Sequence, residues 1–360
     1  MMSNIIFTYV LRYKYKNTER MECLNLNIHQ VAAEAGVSIA TVSRVINGKK
    51  DVSPETRERI LSIMRKMEFQ PKVAVAHAIE NIGIFISDTK TKISNPYSSL
   101  ILDGIADVMF NRHLSLTLIP SVKIPREGPD FLNFCRQRRI SGGIFISSTL
   151  DDTYIGNLGM HVPVVLVGNE INSEYVGSVR SDNFMGARKA LEYLIKTGHK
   201  RILLIMADMH FIDHKDRFEG AVKAMEMHNI EPSQYNIMNS YALIDVDLSY
   251  TLDHIISSFG PDAIFVGGDQ EAVRVMRLLQ EKGVKIPEDI SIVGYDNLPV
   301  ASSTNPPLTT VNQPIYDIGK EAAKMLLEMI KNKGYKSTRI VLQDNHIMMR
   351  GSVLQRNETS

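Results

Sequence analysis

One arginine and two aspartates stand at the ends of apolar segments, where they could recognise a polar ligand. Asp269 follows two glycines after the apolar residues 263–266, and Asp296 lies in Gly-Tyr-Asp-Asn after residues 290–293. The glycines permit tight turns that project the carboxylates. Arg217 begins a predicted helix after another apolar run, and a guanidinium facing a carboxylate suits vicinal sugar hydroxyls, or an anion for the arginine. The alternative is an interlobe salt bridge without a ligand role.

These positions depend on a regular alternation of apolar strands and amphipathic helices. The predicted strands are residues 82–86, 114–119, 144–146, 162–167, 202–206, 263–266, 290–293 and 339–342. The predicted helices of this region are residues 97–110, 130–138, 184–197, 217–228, 249–259, 271–282 and 316–331. Alternation at this spacing predicts parallel sheets covered by helices on both faces. Because the series restarts after Asp182, we expect two α/β lobes with a ligand cleft at the carboxyl ends of their strands.

Composition restricts the class of protein. A chain of 360 residues predicts two or three domains. The net charge of +1 means that any nucleic-acid binding must come from a local basic patch. Cys23 and Cys135 are isolated, which favours a reducing, cytoplasmic compartment over a disulfide framework. No apolar run approaches the roughly 20 residues that span a bilayer.

Enzyme signatures are missing from the sequence. It contains no GxGxxG opening a helix after a strand, no P-loop, no GxSxG and no HExxH. The 10 histidines are scattered and none forms a ligand-spaced pair. We therefore predict no catalytic residue, no metal site, no cofactor and no enzymatic activity.

Residues 26–47 are typical of two short helices joined by a tight turn. Asn27 can cap the first helix, and Gly36 permits the left-handed backbone of a sharp helix end. Ser38 can cap the second helix, and a third helix is predicted from Pro54 onward. Helices this short need a shared core, and the small turn residues let two of them cross steeply. This pattern predicts a helix-turn-helix whose second helix enters the DNA major groove.

The second helix would present a DNA-reading face. Arg44 can read guanine through two hydrogen bonds, whereas Ile39 and Ala40 can touch only apolar features such as a thymine methyl. The predicted DNA-contacting residues are Ser38, Ile39, Ala40, Thr41, Ser43, Arg44, Asn47 and Lys49. The alternative is a three-helix packing module with a solvated arginine.

The segment GVSIATVSRVINGKKDVSPETRERI resembles the headpiece of the lactose-repressor (LacI/GalR-type) family of bacterial transcription regulators. The resemblance continues to the end of the chain. It implies an all-α helix-turn-helix headpiece and a periplasmic-binding-protein-like core of two doubly wound parallel-sheet lobes, with three crossings between them. In the family, a hinge helix wedges a leucine into the minor groove. Residues 72–81 (KVAVAHAIEN) lack that leucine; Val75, His77 or Ile79 could replace it, or the wedge is weak or absent.

The resemblance also implies the effector site. In the family, the arginine of R-x-x-G and the aspartate of G-Y-D contact effector, and Arg217 and Asp296 match them. The full predicted set is Tyr97, Ser147, Asn169, Arg180, Arg217, Asp269, Asp296 and Gln313. Asn169 departs from the pattern, since many relatives carry aspartate there. The structural alternatives are a core residue for Tyr97, a helix cap for Asp269 and a surface strand residue for Arg180.

The domain boundaries follow from these patterns. We predict an N-terminal extension at residues 1–24, with Met21 as an alternative start, a DNA-binding domain at 25–70 and a hinge at 71–81. Effector lobe 1 is predicted at residues 82–182 with 313–336, and lobe 2 at 183–312 with 337–357.

The combination predicts a sequence-specific transcription regulator, a repressor, controlled by a small molecule such as a sugar. Its partners would be double-stranded operator DNA, a carbohydrate effector and a second copy of the chain, as a homodimer or a dimer of dimers. No membrane partner is expected. The alternatives are a sugar-binding protein without a DNA-regulatory role and an α/β enzyme.

Overall fold

A computed structural model describes residues 28–46, 51–67, 69, 81–86, 95–231, 236–237, 239–332 and 338–356. The chain divides into two compact units, Met1–Ala78 and Ile79–Ser360. The predictions for the N-terminal extension, for Asn27, Asn47 and Lys49, and for hinge residues 71–80 lie outside the described residues. Asn81, the last residue of the predicted hinge, belongs to the first strand of the second unit.

The described residues of the first unit form three helices, α1 (Ile28–Glu34), α2 (Ile39–Ile46) and α3 (Pro54–Lys66). Gly36 adopts the expected left-handed conformation with φ of 61°. The Ser38 hydroxyl accepts a hydrogen bond of 3.1 Å from the Thr41 amide, and Ser53 accepts one of 3.2 Å from the Thr56 amide. The predicted Ser38 cap is therefore confirmed, and Ser53 caps α3 in the same way.

A small shared core holds these short helices. It contains Val31 from α1, Val42 and Val45 from α2, Ile60 from α3, and Phe69 beyond it. Because a seven- or eight-residue helix is marginal alone, the burial of these side chains supplies most of the stability of the helices.

The second unit alternates strands with helices. Its strands are β1 (Asn81–Ile86), β2 (Ser115–Pro120), β3 (Ile140–Ile146), β4 (Val164–Val167), β5 (Val176–Ser181), β6 (Ile202–Ile205), β7 (Ala263–Val266), β8 (Ser291–Asp296), β9 (Thr309–Asn312), β10 (Arg339–Leu342) and β11 (Ile347–Met348). Its α-helices are α4 (Pro96–Phe110), α5 (Gly128–Gln137), α6 (Ile155–Gly159), α7 (Asn183–Lys196), α8 (Ile212–Met227), α9 (Asp245–Ser258), α10 (Asp269–Glu281) and α11 (Ile315–Lys331).

The strands form two sheets, as predicted. Lobe 1 has the order β10-β5-β4-β3-β1-β2, and all its pairs are parallel. Lobe 2 has the order β11-β9-β8-β7-β6, in which only the two-residue β11 pairs antiparallel. The central strands are buried on both faces, which explains their continuous apolar sequences.

The chain crosses between the lobes three times: from β5 to α7, from β9 to α11, and from β10 to β11. The predicted placement of residues 339–342 in lobe 2 is wrong. This strand, β10, pairs in parallel with β5 at the edge of the lobe 1 sheet, so the third crossing comes after Leu342. Short edge strands carry no sequence signal for the sheet that they join, because their partner is distant in the chain.

A close helix contact in lobe 1 gives a stability prediction. A Cβ on Gly104 of α4 would lie 2.1 Å from the Tyr316 carbonyl oxygen of α11, closer than atoms can approach. We expect Gly104→Ala to force these helices apart and lower the free energy of unfolding by about 1–3 kcal/mol. The matched control is Gly156→Ala in α6, where the nearest atom is at 3.6 Å. Urea unfolding measures both variants; equal midpoints would contradict the close contact.

Candidate functional site

A cleft opens between the carboxyl ends of the strands of the two lobes. It encloses about 660 Å³, counting its open mouth. The lining residues come from loops and helix starts that follow strands, namely Asn95, Tyr97, Ser147, Val167, Gly168, Phe211, Asp213, His214, Arg217, Tyr241, Gly268, Gln270, Asp296 and Leu298. Both lobes contribute, as expected for a ligand site of this architecture.

Arg217 is the buried centre of the lobe 2 wall. Its side chain is 3% exposed, and its Nη2 lies 3.1 Å from Oδ1 of Asp296. Nε donates to Oδ1 of Asn183 at 2.8 Å, and Nη1 donates to the Gly267 carbonyl. The guanidinium carbon lies 3.9 Å above the centre of the Tyr295 ring. The predicted meeting of Arg217 and Asp296 therefore occurs, within lobe 2.

Asp296 lies at the end of β8 with φ of 108°, an unusual backbone conformation for a residue other than glycine. Gln313 donates to its Oδ1 from 2.9 Å. Burial raises the pKa of Asp296, and Arg217 and Gln313 oppose that rise. Strained backbone held by surrounding contacts is typical of ligand-binding positions.

Asp213 and His214 add two buried titratable groups to the cleft. Burial raises the pKa of Asp213 from 3.8 to about 7, against the lowering effects of Arg217 and Arg180. Burial also lowers the pKa of His214 from 6.5 to about 3, so this imidazole is neutral near pH 7. Asn183 donates to Oδ1 of Asp213 at 2.7 Å.

A buried amide from each crossing holds the polar groups of the cleft. Asn183 of the first crossing bonds both Asp213 and Arg217. Gln313 of the second crossing bonds Asp296. Asn345 of the third crossing donates to the Tyr295 hydroxyl at 3.0 Å, and the Tyr295 ring supports Arg217. The charged side chains of the cleft are thus held, directly or through Tyr295, by the segments that join the lobes.

Four of the eight predicted effector residues line the cleft, namely Tyr97, Ser147, Arg217 and Asp296. Gln313 lies behind Asp296. Asn169, Arg180 and Asp269 also lie outside the lining, and each contacts other protein groups.

Asn169 donates to Ser148 and to the Thr149 carbonyl. Arg180 pairs with Asp216 at 2.9 Å. Asp269 accepts hydrogen bonds from Thr310 and from the Leu298 amide. These interactions fix loops of the scaffold. The structural alternatives are nevertheless wrong in detail, because Gly268 and not Asp269 is the N-cap of α10, and the Arg180 side chain is only 13% exposed.

Sequence reasoning missed Asp213, His214 and the aromatic residues Phe211 and Tyr241. The predicted helix beginning at Arg217 was wrong, since α8 begins at Ile212. The polar sequence Asp-His-Lys-Asp is typical of a loop, yet here it forms the first helical turn. The spacing from Asp213 to Arg217 is four residues, which places both on one helix face and was the available signal.

The raised pKa of Asp213 predicts a pH-dependent effect of Asp213→Asn. Between about pH 4 and 7 the folded protein retains a proton that the unfolded chain releases. The free energy of unfolding of the parent therefore falls as pH rises through this window, by at most about 1.4 kcal/mol per unit. Asparagine does not titrate, so the variant lacks this loss. Its free energy of unfolding minus that of the parent should therefore be larger at about pH 8 than at about pH 5.

Urea unfolding at the two pH values measures this gain. Asp208→Asn is the matched control, since Asp208 bonds His210 and lies outside the cleft lining. A gain for Asp213→Asn that is the same at both pH values would contradict a buried, titrating carboxyl group.

The described face of α2 has the exposure that a recognition helix requires. Ile39 is 40% exposed and the Arg44 side chain 60% exposed, whereas Val42 and Val45 face the core. Ser38 and Ala40 are exposed, and Thr41 and Ser43 are half-buried. Arg44 lies 3.7 Å from Asp51, an exposed pair that binds weakly and leaves the guanidinium available.

Within the described ranges, no cluster of histidine, cysteine, aspartate and glutamate could hold a metal ion. No helix in that part of the chain is both long and apolar enough to cross a membrane.

Comparisons with known proteins assign the two units. Residues 27–72 match the family described as bacterial regulatory proteins, lacI family, and residues 191–353 match the periplasmic binding protein-like domain. Catabolite control protein A of Priestia megaterium is 30% identical over 336 residues, covering 91% of this chain and 99% of that protein. The ribose operon repressor of Bacillus subtilis (strain 168) is 29% identical, with 89% and 96% covered.

A solved structure agrees with these relatives. The transcriptional regulator CelR–cellobiose complex has a TM-score of 0.68 and 28% identity, and the match covers 91% of this chain and all (100%) of that one. The fold agrees with the expected one. The relatives are named as regulators, which agrees with the prediction that this chain has no enzymatic activity. With its helix-turn-helix and its two-lobed core, the chain is a DNA-binding transcription regulator and belongs to the lacI family of bacterial regulatory proteins.

Proposed function

We propose that this protein is a cytoplasmic repressor whose affinity for operator DNA changes when a sugar binds between the two lobes. The observation that carries the proposal is the buried Asp213–Arg217–Asp296 group in a cleft with aromatic walls. Paired carboxylates and a guanidinium bind vicinal hydroxyls, and aromatic faces contact the apolar faces of sugar rings. The cellobiose bound by CelR and the ribose operon of the Bacillus repressor support this ligand class.

The aromatic geometry favours a sugar over a planar base. The rings of Phe211 and His214 meet at 67°, and those of His214 and Tyr241 at 76°, with centroids 6.4 Å apart in each pair. Neither of these two pairs is parallel, so neither can sandwich a planar base, whereas a single ring face suits the apolar face of a sugar. The effector contacts proposed are Tyr97, Ser147, Asp213, Arg217 and Asp296.

We further propose a homodimer on a two-fold symmetric operator. One headpiece reads only a few base pairs, so two copies related by a two-fold axis supply the length and affinity of a specific site. In this proposal the sugar acts through its different affinity for the open and closed arrangements of the lobes.

The test begins with operator DNA selected by the full-length protein from a random library. A gel-shift titration should give a salt-dependent, sequence-preferring complex, because phosphate contacts release counterions. Sugars are then added at increasing concentration. Operator binding that no sugar alters would contradict sugar control, and the absence of any preferred sequence would contradict the regulator itself.

A further inference from the structure

Three of the five N–H donors of the Arg217 guanidinium already have protein partners, which leaves two for a ligand. Each nitrogen of Arg217 has a protein partner: Asn183 for Nε, the Gly267 carbonyl for Nη1 and Asp296 for Nη2. The Tyr295 ring covers one face of the group. An incoming phosphate or carboxylate would have to compete with Asp296, which is held in place by Gln313.

Beyond the Arg217–Asp296 pair, the remaining charge of the lining is that of Asp213, whose pKa of about 7 makes it about half ionised at pH 7 and negative at higher pH. Among the described lining residues, Asp213 and Asp296 are carboxylic acids and Arg217 is the one arginine or lysine. His214 adds no positive charge near pH 7, since its pKa is lowered. The nearby Arg180 lies outside the lining and is held by Asp216 at 2.9 Å and by Glu170 at 3.9 Å. An anion in the cleft would therefore meet net repulsion in a poorly solvated space.

Other lining groups suit hydroxyls. The hydroxyl of Tyr97 and Nδ1 of His214 are buried and have no hydrogen-bond partner within the described part of the chain. Ser147 and Gln270 add groups that both donate and accept. A hydroxyl group can donate to a carboxylate and accept from a phenol, whereas a phosphate dianion can only accept.

We infer that the cleft selects an uncharged, polyhydroxylated ligand and rejects sugars that carry a phosphate or carboxylate group. This inference rests on the proposed sugar-controlled function and specifies its ligand. It makes the protein a sensor of the free sugar rather than of the phosphorylated product that a sugar kinase forms from it.

The experiment compares each neutral sugar with its own charged derivative. D-ribose, D-glucose and cellobiose are paired with D-ribose 5-phosphate, D-glucose 6-phosphate and cellobionate, and inorganic phosphate is added alone. Calorimetry and thermal shift on the full-length protein measure binding, and operator gel shift measures response. We expect a neutral sugar to bind at least about a hundredfold more tightly than its charged partner.

The outcomes separate the inference from the function. Equal or tighter binding of a charged partner or of inorganic phosphate, with an altered operator shift, overturns the inference and leaves effector control standing. Binding by none of the compounds, with operator binding intact, overturns sugar control and the inference together.

Asp296→Asn tests the physical cause. This substitution removes one negative charge and weakens the interaction of Nη2 of Arg217 with residue 296. The preference for neutral over charged sugar should fall by about tenfold or more, because a unit charge at contact distance contributes at least that much. Asp208→Asn removes a carboxylate outside the lining and should leave the preference unchanged. An unchanged preference in Asp296→Asn would overturn the charge argument.

Discussion

Replacing Arg44 by alanine should abolish the operator preference of this regulator. Arg44 lies on the exposed face of α2, and alanine removes the donors that could bond a guanine edge. A bidentate arginine–guanine contact discriminates by about 1–3 kcal/mol. With two headpieces on one operator, the ratio of specific to scrambled DNA affinity should fall by roughly a hundredfold or more.

Fluorescence anisotropy at fixed salt measures both affinities. Binding to scrambled DNA should weaken only slightly, because phosphate contacts from other residues remain. Lys66→Ala is the matched control, since it removes one exposed positive charge from the end of α3 without touching the recognition face. If Arg44→Ala retains the parental affinity ratio, α2 does not read bases through this residue.

Replacing Arg217 by methionine should destabilise the second unit strongly. The change leaves Asp296 and Asp213 buried without their countercharge, and it removes three hydrogen-bonded nitrogens. Breaking a buried ion pair at one partner costs about 3–5 kcal/mol. Urea unfolding near pH 8 should show this loss, and sugar binding should be lost with it.

The double variant Arg217→Met/Asp296→Asn separates charge from packing. Removing the uncompensated carboxylate should recover a large part of the lost stability, because a buried pair is often replaceable by neutral groups. The two substitutions should therefore be strongly non-additive in a double-mutant cycle. Additive losses would show that Arg217 contributes by filling space rather than by balancing Asp296.

Strand predictions succeeded both in a segment that is buried on both faces, β7, and in the partly exposed edge strand β10. Residues 263–266 and 339–342 agree with β7 and β10 at both ends. The structure adds strands β5, β9 and β11 and the short helix α6, which the pattern did not predict. The sequences of β5 and β9, VGSVRS and TTVN, mix small and polar residues because these strands lie beside the crossings, where polar side chains are hydrogen-bonded.

The candidate site was partly predictable for a related reason. Arg217 and Asp296 could be paired because each follows a strand of the same predicted sheet. Asp213 could not be placed while α8 was expected to begin at Arg217, five residues after its actual start. The interactions of Arg180 with Asp216 and of Asn169 with Ser148 depend on side-chain contacts between distant segments, which one sequence does not contain. The identity of the family, by contrast, followed from the headpiece motif and is confirmed.

The amides at the three crossings have a consequence for retargeting this sensor to new compounds. Asn183 and Gln313 bond groups that would contact the ligand, and Asn345 bonds Tyr295, whose ring lies against Arg217. Replacing Asp213, Arg217 or Asp296 therefore also changes the contacts of the segments that join the lobes. Substitutions at these positions that broaden the range of bound ligands would then also alter how ligand binding changes the arrangement of the lobes. Specificity is better evolved at Ser147, Phe211 and Gln270, which line the cleft and have no described hydrogen bond to a crossing.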